Sequence, residues 1–261
     1  MTILDKLAEH AFERVRNAKE KRSLDEIKSL AESLPAGKLE FEKAIANSDD
    51  ISFICECKKA SPSKGVIAED FPYLQIAKDY EKAGATCISV LTEPKWFLGN
   101  DEYLSEIVAE VNIPCIRKDF TVDEYMIYEA KLLGAKAVLL ICSILKEEKI
   151  KKYIAICDKL GLSALVEAHD ENEIKMAVNA GARLIGVNNR NLSDFSVDTD
   201  NSRRMIELVP DGTLFVSESG VKNAEDIRLL REAGANAVLI GETLMRAENK
   251  TAKLAELRGK I

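Results

Sequence analysis

The chain has 261 residues, of which 46% are hydrophobic, enough for one large core and typical of a single domain. Its 37 basic and 44 acidic residues leave a net charge of -7, which argues against nucleic acid or an anionic membrane surface as a partner. Asp5, Glu9 and Glu13 lie where a signal peptide needs an apolar stretch, and no apolar run reaches membrane-spanning length. We therefore expect a cytoplasmic protein.

The thiol and imidazole groups argue against disulfides and transition metals. The only histidines are His10 and His169, and no His/Cys cluster is present, so we expect no zinc or copper site. No two cysteines have the CxxC spacing and most lie in apolar runs, which predicts reduced thiols in the core. The six cysteines are Cys55, Cys57, Cys87, Cys115, Cys142 and Cys157.

Residues 1–50 precede the first predicted strand and are rich in charge. Their pattern predicts helices over residues 3–21 and 41–47, separated by the helix-breaking segment Pro35-Ala36-Gly37. We expect these residues to form a helical extension that covers one end of the rest of the domain, residues 51–261.

From residue 51 onward the chain repeats one pattern, a helix that ends in Gly-Ala and is followed at once by an apolar run. The pattern occurs at Gly84-Ala85, Gly134-Ala135, Gly181-Ala182 and Gly234-Ala235. Glycine supplies the left-handed turn that ends a helix, and an apolar run without alternation is typical of a parallel strand buried on both faces. Eight strands are predicted, over residues 51–58, 86–92, 114–119, 137–142, 163–168, 184–189, 214–218 and 237–241.

Amphipathic helices are predicted between these strands. Thr121 with Glu124, and Asp170 with Glu173, have the spacing of a capping box and predict two helix starts. Strict alternation of strands and helices predicts a parallel sheet, and eight units favour an α/β fold of the (β/α)8 TIM-barrel type. An open, doubly wound sheet is the alternative.

Polar residues interrupt several of these strands near their carboxyl ends, where a barrel of this type has its active site. Period-two alternation places Glu56 and Lys58 on the lumen face of the first strand and the neighbouring cysteines on the other face. Lys118, Glu167 and Asn188 end later strands. Charges in a desolvated barrel mouth are costly unless they pair or bind a charged ligand, so a charged substrate is the simplest partner. The alternative is a set of ion pairs that only fills the barrel.

The last two strands predict a phosphate site. The seventh is followed by Ser219 and Gly220, and the eighth by Gly241 and Glu242. Glycine lets backbone amides approach an anion, and barrels often bind phosphate at these two loops. Taken singly, each could be an ordinary turn glycine.

These strand ends together resemble the indole-3-glycerol phosphate synthase family. The most specific motif is Glu56-Cys57-Lys58-Lys59-Ala60-Ser61-Pro62-Ser63-Lys64-Gly65 after the first strand. The other motifs follow in chain order and extend the resemblance over roughly residues 50–246: Leu91-Thr92-Glu93 with Trp96-Phe97, Arg117-Lys118-Asp119-Phe120, Leu165-Val166-Glu167, Gly186-Val187-Asn188-Asn189-Arg190-Asn191-Leu192 and Ser217-Glu218-Ser219-Gly220.

The resemblance implies a carboxy-lyase of tryptophan biosynthesis that needs no cofactor. Its substrate would be 1-(2-carboxyphenylamino)-1-deoxyribulose 5-phosphate, which is converted to indole-3-glycerol phosphate, carbon dioxide and water. Ring closure, decarboxylation and dehydration all require proton transfers, which two acids and a base can supply. Beyond this sugar phosphate we expect no nucleic-acid or membrane partner, and a monomer or weak homo-oligomer.

The resemblance also implies residue roles. Lys118 matches the general acid that protonates the carbonyl, Lys58 would hold the substrate carboxylate, and the order in which the two lysines give protons stays open. Glu167 matches the base of the dehydration, Glu56 would stabilise charge on the aniline nitrogen, and Asn188 would fix a hydroxyl. Ser219 belongs to the catalytic set and, with Gly220, Gly241 and Glu242, to the phosphate site; the positions around the substrate's ring and carboxylate are Ser61, Phe97, Phe120, Leu139, Arg190 and Leu192.

One departure and two rival readings accompany this interpretation. Glu242 stands where a small polar residue would assist a phosphate, so we expect its side chain to point away and only its amide to bind. A first rival is an aldolase that uses Lys118 or Lys58 as a Schiff-base nucleophile. A second is a catalytically silent barrel that binds a sugar phosphate as a sensor or scaffold.

Overall fold

The structure, a computed structural model, describes residues 2–191 and 195–259, and its centre is a closed barrel of eight parallel strands. Each strand pairs with its neighbours in chain order, and the first pairs with the last through the register Ser52–Ala237 to Cys55–Ile240. The predicted TIM barrel and its eight strands are confirmed. The strands are β1 (Ser52–Cys57), β2 (Cys87–Leu91), β3 (Cys115–Lys118), β4 (Ala137–Ile141), β5 (Ser163–Ala168), β6 (Leu184–Asn188), β7 (Leu214–Glu218) and β8 (Ala237–Ile240).

Helices alternate with the strands and bury their apolar faces against them. The N-terminal helices are α1 (Ile3–Lys21), α2 (Leu24–Ser33) and α3 (Glu40–Ala46). The helices outside the barrel wall and at its rim are α4 (Tyr73–Lys82), α5 (Asp101–Glu110), α6 (Tyr125–Leu132), α7 (Glu147–Leu160), α8 (Glu171–Asn179), α9 (Asp200–Met205), α10 (Ala224–Glu232), α11 (Glu242–Met245) and α12 (Lys250–Leu257). A short antiparallel hairpin pairs Ala60–Ser61 with Gly65–Val66 beside the carboxyl end of β1.

The Gly-Ala repeat ends four helices as predicted. Gly84, Gly134, Gly181 and Gly234 have φ angles of +83°, +85°, +85° and +93°, in the left-handed region that glycine adopts without a steric penalty. The alanine that follows each glycine is buried at the entry to the next strand, so the repeat sets where helix ends and strand begins.

The N-terminal helices reach both ends of the barrel. At the carboxyl end, Arg14 of α1 forms two hydrogen bonds with the Asp119 carboxylate, at 3.0 and 2.6 Å. At the opposite end, α3 inserts the buried Phe41, and the Glu42 amide donates to Ser163 Oγ at 3.1 Å. Cover over one end had been expected; the structure shows α1 over the carboxyl ends and α3 under the amino ends.

Two local predictions need correction. The segment 22–34 contains an additional helix, α2, which the sequence pattern had not predicted. It starts with a capping box between Ser23 and Glu26. The predicted capping box of Thr121 with Glu124 is wrong: α6 begins at Tyr125, and Thr121 is buried in the preceding loop. That loop is held by α1 instead, because Lys19 forms an ion pair with Asp123 at 2.9 Å.

The helix start at Asp170 is confirmed. The Asp170 carboxylate accepts hydrogen bonds from the amides of Asn172 and Glu173, both at 2.9 Å. The Glu173 carboxylate turns back to the amide of His169 at 2.8 Å, one residue earlier than a capping box requires. This arrangement places His169 beside the carboxyl end of β5.

All six cysteines are free thiols and all are buried, as predicted. Burial raises the pKa of every one, to about 12 in Cys55, Cys115 and Cys142, because a thiolate in an apolar environment loses its hydration. Along residues 2–191 and 195–259, no helix combines the length and apolar character needed to cross a membrane.

Candidate active site

A cavity of about 530 Å³ opens at the carboxyl ends of the strands. Its wall includes nearly every residue that the sequence had suggested for the site, and α1 adds the apolar Ile3, Leu4 and Leu7. Leu192 lies outside the described residues. The predicted residues that line the cavity are Glu56, Lys58, Ser61, Phe97, Lys118, Phe120, Leu139, Glu167, Asn188, Arg190, Ser219, Gly220, Gly241 and Glu242.

Glu56 and Lys58 form an ion pair on the lumen face of β1, as alternation predicts. Lys58 Nζ lies 2.5 Å from Glu56 Oε1, and both side chains are largely buried. The end of β8 passes close to this pair. A Cβ added at Gly241 would overlap Glu56 Oε1 and lie 2.8 Å from Lys58 Nζ. Glycine at 241 therefore leaves room for the pair.

Lys118, at the end of β3, lies between two buried carboxylates. Its Nζ is 3.2 Å from Glu167 Oε2 and 3.1 Å from Glu218 Oε2. Burial disfavours the ammonium, but the negative charges of Glu218, Glu167 and Glu56 outweigh it and raise the Lys118 pKa. The Lys118 side chain is therefore protonated and lies, paired with two carboxylates, at the centre of the barrel mouth.

Glu218 lines the cavity and contacts Lys118, although the sequence motif that contains it did not mark it as a site residue. It is 1% exposed, and its Oε1 has no hydrogen-bond partner within the described part of the chain. Burial first, and then the nearby Glu167 and Glu56, raise its pKa to about 7 in spite of Lys118. Its position at the end of β7, on the lumen face, was the available signal.

Glu167 occupies the other side of Lys118 and has the opposite tendency. Burial would raise its pKa, but Lys118, His169 and a hydrogen bond from Asn188 lower it below the ordinary value. The two carboxylates share one ammonium, so near neutrality Glu167 is ionised while Glu218 exchanges a proton. The site thus places two carboxylates with oppositely shifted pKa values within 3.2 Å of one lysine nitrogen.

Aromatic residues form the apolar side of the cavity. The rings of Phe97 and Phe120 have centroids 6.1 Å apart. Phe97 is positioned by Glu93, which is fully buried and accepts hydrogen bonds from the amides of Trp96 and Phe97 at 2.8 and 3.1 Å. His10 of α1 contacts the same carboxylate at 3.1 Å. The N-terminal helix therefore braces the loop that supplies this wall.

The loops after β7 and β8 line another part of the cavity. Ser219 has a φ of +68°, unusual for a residue other than glycine, and Gly220 follows at +93°. Asn189 holds this turn by donating to the Ser219 carbonyl at 3.0 Å. The Glu242 carboxylate is engaged at the rim by Arg246 at 3.1 Å and by Lys64 at 3.7 Å.

Arg117, beside Lys118, belongs to a different set of contacts. It is 2% exposed and forms ion pairs with Asp101 at 2.8 Å and Glu129 at 2.7 Å, on the outer face of β3. Asp119, which follows β3, connects the end of this strand to α1 by accepting hydrogen bonds from Arg14. Among the residues that the structure describes, no group of three or more histidine, cysteine, aspartate or glutamate side chains is placed to hold a metal ion.

The barrel and its mouth define an acid–base enzyme of the TIM-barrel class, with paired lysines and carboxylates, an aromatic wall and glycine-containing loops at the usual phosphate position. Residues 4–257 match the family model described as indole-3-glycerol phosphate synthase. The chain belongs to the indole-3-glycerol phosphate synthase family, carboxy-lyases of tryptophan biosynthesis, and the resemblance noted from the strand-end motifs is confirmed.

Curated relatives match over nearly their whole length. The indole-3-glycerol phosphate synthase of Ruminiclostridium cellulolyticum is 58% identical over 258 residues, covering 98% of this chain and 99% of the relative. That of Lachnoclostridium phytofermentans is 48% identical over 268 residues, covering 98% of each.

Solved structures with the same fold are more distant. A crystal structure of 3-hexulose-6-phosphate synthase superimposes with a TM-score of 0.65 at 16% identity, covering 81% of this chain and 100% of that one. Thiamine phosphate pyrophosphorylase from Pyrococcus furiosus gives 0.59 at 17% identity, covering 80% and 94%. At such identities the likeness concerns the barrel fold alone.

Proposed function

We propose that the cavity converts 1-(2-carboxyphenylamino)-1-deoxyribulose 5-phosphate to indole-3-glycerol phosphate, carbon dioxide and water. The observation that carries the proposal is the Lys118 ammonium, held 3.2 Å from Glu167 and 3.1 Å from Glu218 in the barrel mouth. This trio can deliver protons to an oxygen and withdraw one from carbon, which ring closure and dehydration both require.

The cavity orients the substrate by its two ends. The phosphate binds at the turns after β7 and β8, where backbone amides of Ser219, Gly220, Gly241 and Glu242 approach without large side chains between them. The aromatic ring packs on Phe97, Phe120 and Leu139, and the remaining contacts are assigned to Ser61, Arg190 and Leu192. Fixing both ends folds the ring carbon toward the ketone, an entropic contribution to catalysis.

Ring closure joins the ring carbon that bears the carboxylate to the ketone carbon. Lys118 donates a proton to the ketone oxygen, which becomes a hydroxyl group. Lys58 holds the carboxylate until the carbon–carbon bond breaks and carbon dioxide leaves, which restores the aromatic ring. Glu56, 2.5 Å from Lys58, balances its charge and faces the positive charge that develops on the aniline nitrogen.

Dehydration then removes the new hydroxyl as water. Glu167, ionised near neutrality, takes a proton from the carbon next to the nitrogen while Lys118 protonates the leaving oxygen. Asn188 holds a substrate hydroxyl and fixes Glu167. A lysine with a raised pKa needs a donor that returns its proton, and Glu218, with a pKa of about 7, fits that task.

The experiment that tests the proposal is a fluorescence assay of indole formation from the carboxyphenylamino substrate, without added metal or cofactor. We expect turnover by the parent protein and losses of about 100-fold to 10,000-fold in Lys118→Ala and Glu167→Gln, the range typical of positioned acids and bases. A parent that binds the substrate without turnover would favour the sensor reading instead.

The aldolase reading predicts a covalent imine at Lys118 or Lys58. Lys118 lies between two carboxylates that raise its pKa, which favours the protonated, non-nucleophilic form. Treatment with borohydride in the presence of substrate separates the two chemistries, since an imine leaves a stable mass adduct and acid–base catalysis leaves none.

The setting of the enzyme is inferred from its surface and its thiols. The net charge of -7 argues against a nucleic-acid or anionic-membrane partner. Buried, free thiols support a cytoplasmic location. One domain over residues 1–261 remains a prediction. A monomer or weak homo-oligomer is also a prediction, and light scattering of the purified chain tests it.

A further inference from the structure

His169 is a buried titratable group at the edge of the site that the proposed steps do not use. Its ring lies between two carboxylates: Nε2 is 3.5 Å from Glu167 Oε1, and Nδ1 is 3.0 Å from Glu173 Oε2. Ser143 Oγ lies 3.2 Å from Nδ1 and 2.6 Å from Glu173 Oε1. The imidazole thus connects the catalytic carboxylate with a second carboxylate farther from the cavity.

The ring is held in place from its backbone as well as from its side chain. The His169 amide donates to Glu173 at 2.8 Å, and Asn201 of α9 donates to the His169 carbonyl at 3.2 Å. The charged groups that face the ring are Glu167 of β5, Glu173 of α8 and Glu218 of β7, all acidic.

The protonated imidazole fits this arrangement best. A neutral imidazole has one N–H and one lone pair, so one of its two nitrogens would point a lone pair at a carboxylate. Nε2 is buried and forms no hydrogen bond within residues 2–191 and 195–259, and Glu167 Oε1 is the carboxylate oxygen that lies 3.5 Å from it. An imidazolium donates to Glu173 through Nδ1 and places its positive charge beside Glu167 at Nε2.

We propose that His169 is a positioning residue that stays protonated in the working enzyme and keeps Oε1 of Glu167 ionised and oriented, opposite the contact that Lys118 makes with Oε2. The inference rests on the proposed role of Glu167 as the base. Burial works against the charge, but the hydrogen bond to Glu173 and the charges of Glu167 and Glu173 outweigh it and raise the His169 pKa. The same pairing contributes to the lowered pKa of Glu167.

The first test is independent of activity. The chain contains two histidines, so an NMR titration of imidazole signals gives two curves, and His10→Gln identifies which one belongs to His169. We expect His169 to titrate above the ordinary value of 6.5 in the parent and at lower pH in Glu167→Gln and in Glu173→Gln. A His169 curve whose midpoint lies below the pH of the activity assay, or one that Glu167→Gln leaves in place, overturns the proposal.

The second test measures kcat against pH in His169→Ala and His169→Gln. Loss of the cation raises the Glu167 pKa, so in His169→Ala the acid limb of the profile moves up by about one pH unit. On that limb kcat falls about tenfold, while kcat near neutrality and KM stay within about twofold of the parent. Glutamine supplies a neutral donor and restores part of the loss.

A purely structural role gives a different result. It lowers kcat in proportion to lost folding and leaves the acid limb in place, and that outcome refutes the proposal. His10→Gln is the control for the position of the acid limb alone: it removes the other imidazole, which contacts Glu93 and not Glu167, so the limb stays in place whatever happens to KM. An inactive parent would refute the proposed function, while the NMR titration would still decide the protonation of His169.

Discussion

Replacing Glu218 by glutamine should make the protein more stable and less active. The carboxyl is buried and its pKa is raised from 4.5 to about 7, so ionising it in the folded state costs free energy. At 1.36 kcal/mol for each pKa unit, the cost is about 3 kcal/mol above pH 7. Glutamine has the shape of the protonated acid and never pays this cost.

The sign of the effect follows from linkage. A carboxyl with a raised pKa destabilises the fold fully above its folded pKa, here about 7, and not at all below its unfolded value of 4.5. Urea unfolding should therefore show Glu218→Gln to be about 2–3 kcal/mol more stable than the parent at pH 8 and less than about 1 kcal/mol more stable at pH 5.

Glu167→Gln is the matched control for this prediction. Glu167 contacts the same lysine, but its pKa is lowered, so its ionised form stabilises the fold above the unfolded pKa and that contribution is lost at acid pH. The same isosteric change should therefore destabilise the protein at pH 8. If both variants change stability in the same direction at pH 8, the assignment of one ionised and one proton-exchanging carboxylate is wrong.

Three further substitutions test other parts of the site. Arg14→Ala removes the partner of the fully desolvated Asp119 carboxylate and should lower the free energy of unfolding by about 3 kcal/mol in urea titrations; a loss under about 1 kcal/mol would mean that α1 is held by other contacts. Gly186→Ala adds a Cβ that overlaps Glu218 Oε1, so kcat should fall about 100-fold through displacement of that carboxylate, and an unchanged kcat would contradict the proton-return role. Glu242→Ser should leave KM for the substrate unchanged or lower, because the carboxylate is engaged by cations at the rim, and a large rise in KM would show that its side chain assists phosphate binding.

Much of the fold was predictable because the residues that end its helices act locally. A glycine with positive φ ends a helix whatever lies around it, so Gly84, Gly134, Gly181 and Gly234 marked four helix–strand boundaries correctly. The start of α6 was not predictable in the same way. The Thr121 segment has the composition of a cap, but the Tyr125 amide donates to Asp123 instead, and side chains of α1 and α7 contact the loop.

In the candidate site, too, the residues placed by local pattern were predictable and those placed by distant contacts were not. Alternation along β1 placed Glu56 and Lys58 in the lumen, because a strand's side-chain direction depends only on its neighbours. The partners of Lys118 were beyond such reasoning, since Glu167 and Glu218 reach it from β5 and β7, strands that are not adjacent to β3. His169 gave no signal in the sequence, because its importance lies in two carboxylates that contact opposite nitrogens of one ring.

The six buried thiols make the protein a convenient subject for fluorescence labelling. Each thiol lies out of reach of solvent and each has a raised pKa, so the native cysteines present almost no thiolate to a maleimide dye. One cysteine introduced at an exposed position, such as Phe12 on α1, would therefore react alone. A second introduced cysteine on an exposed part of the barrel would give a pair of dyes that reports the distance between α1 and the barrel while the native cysteines stay in place.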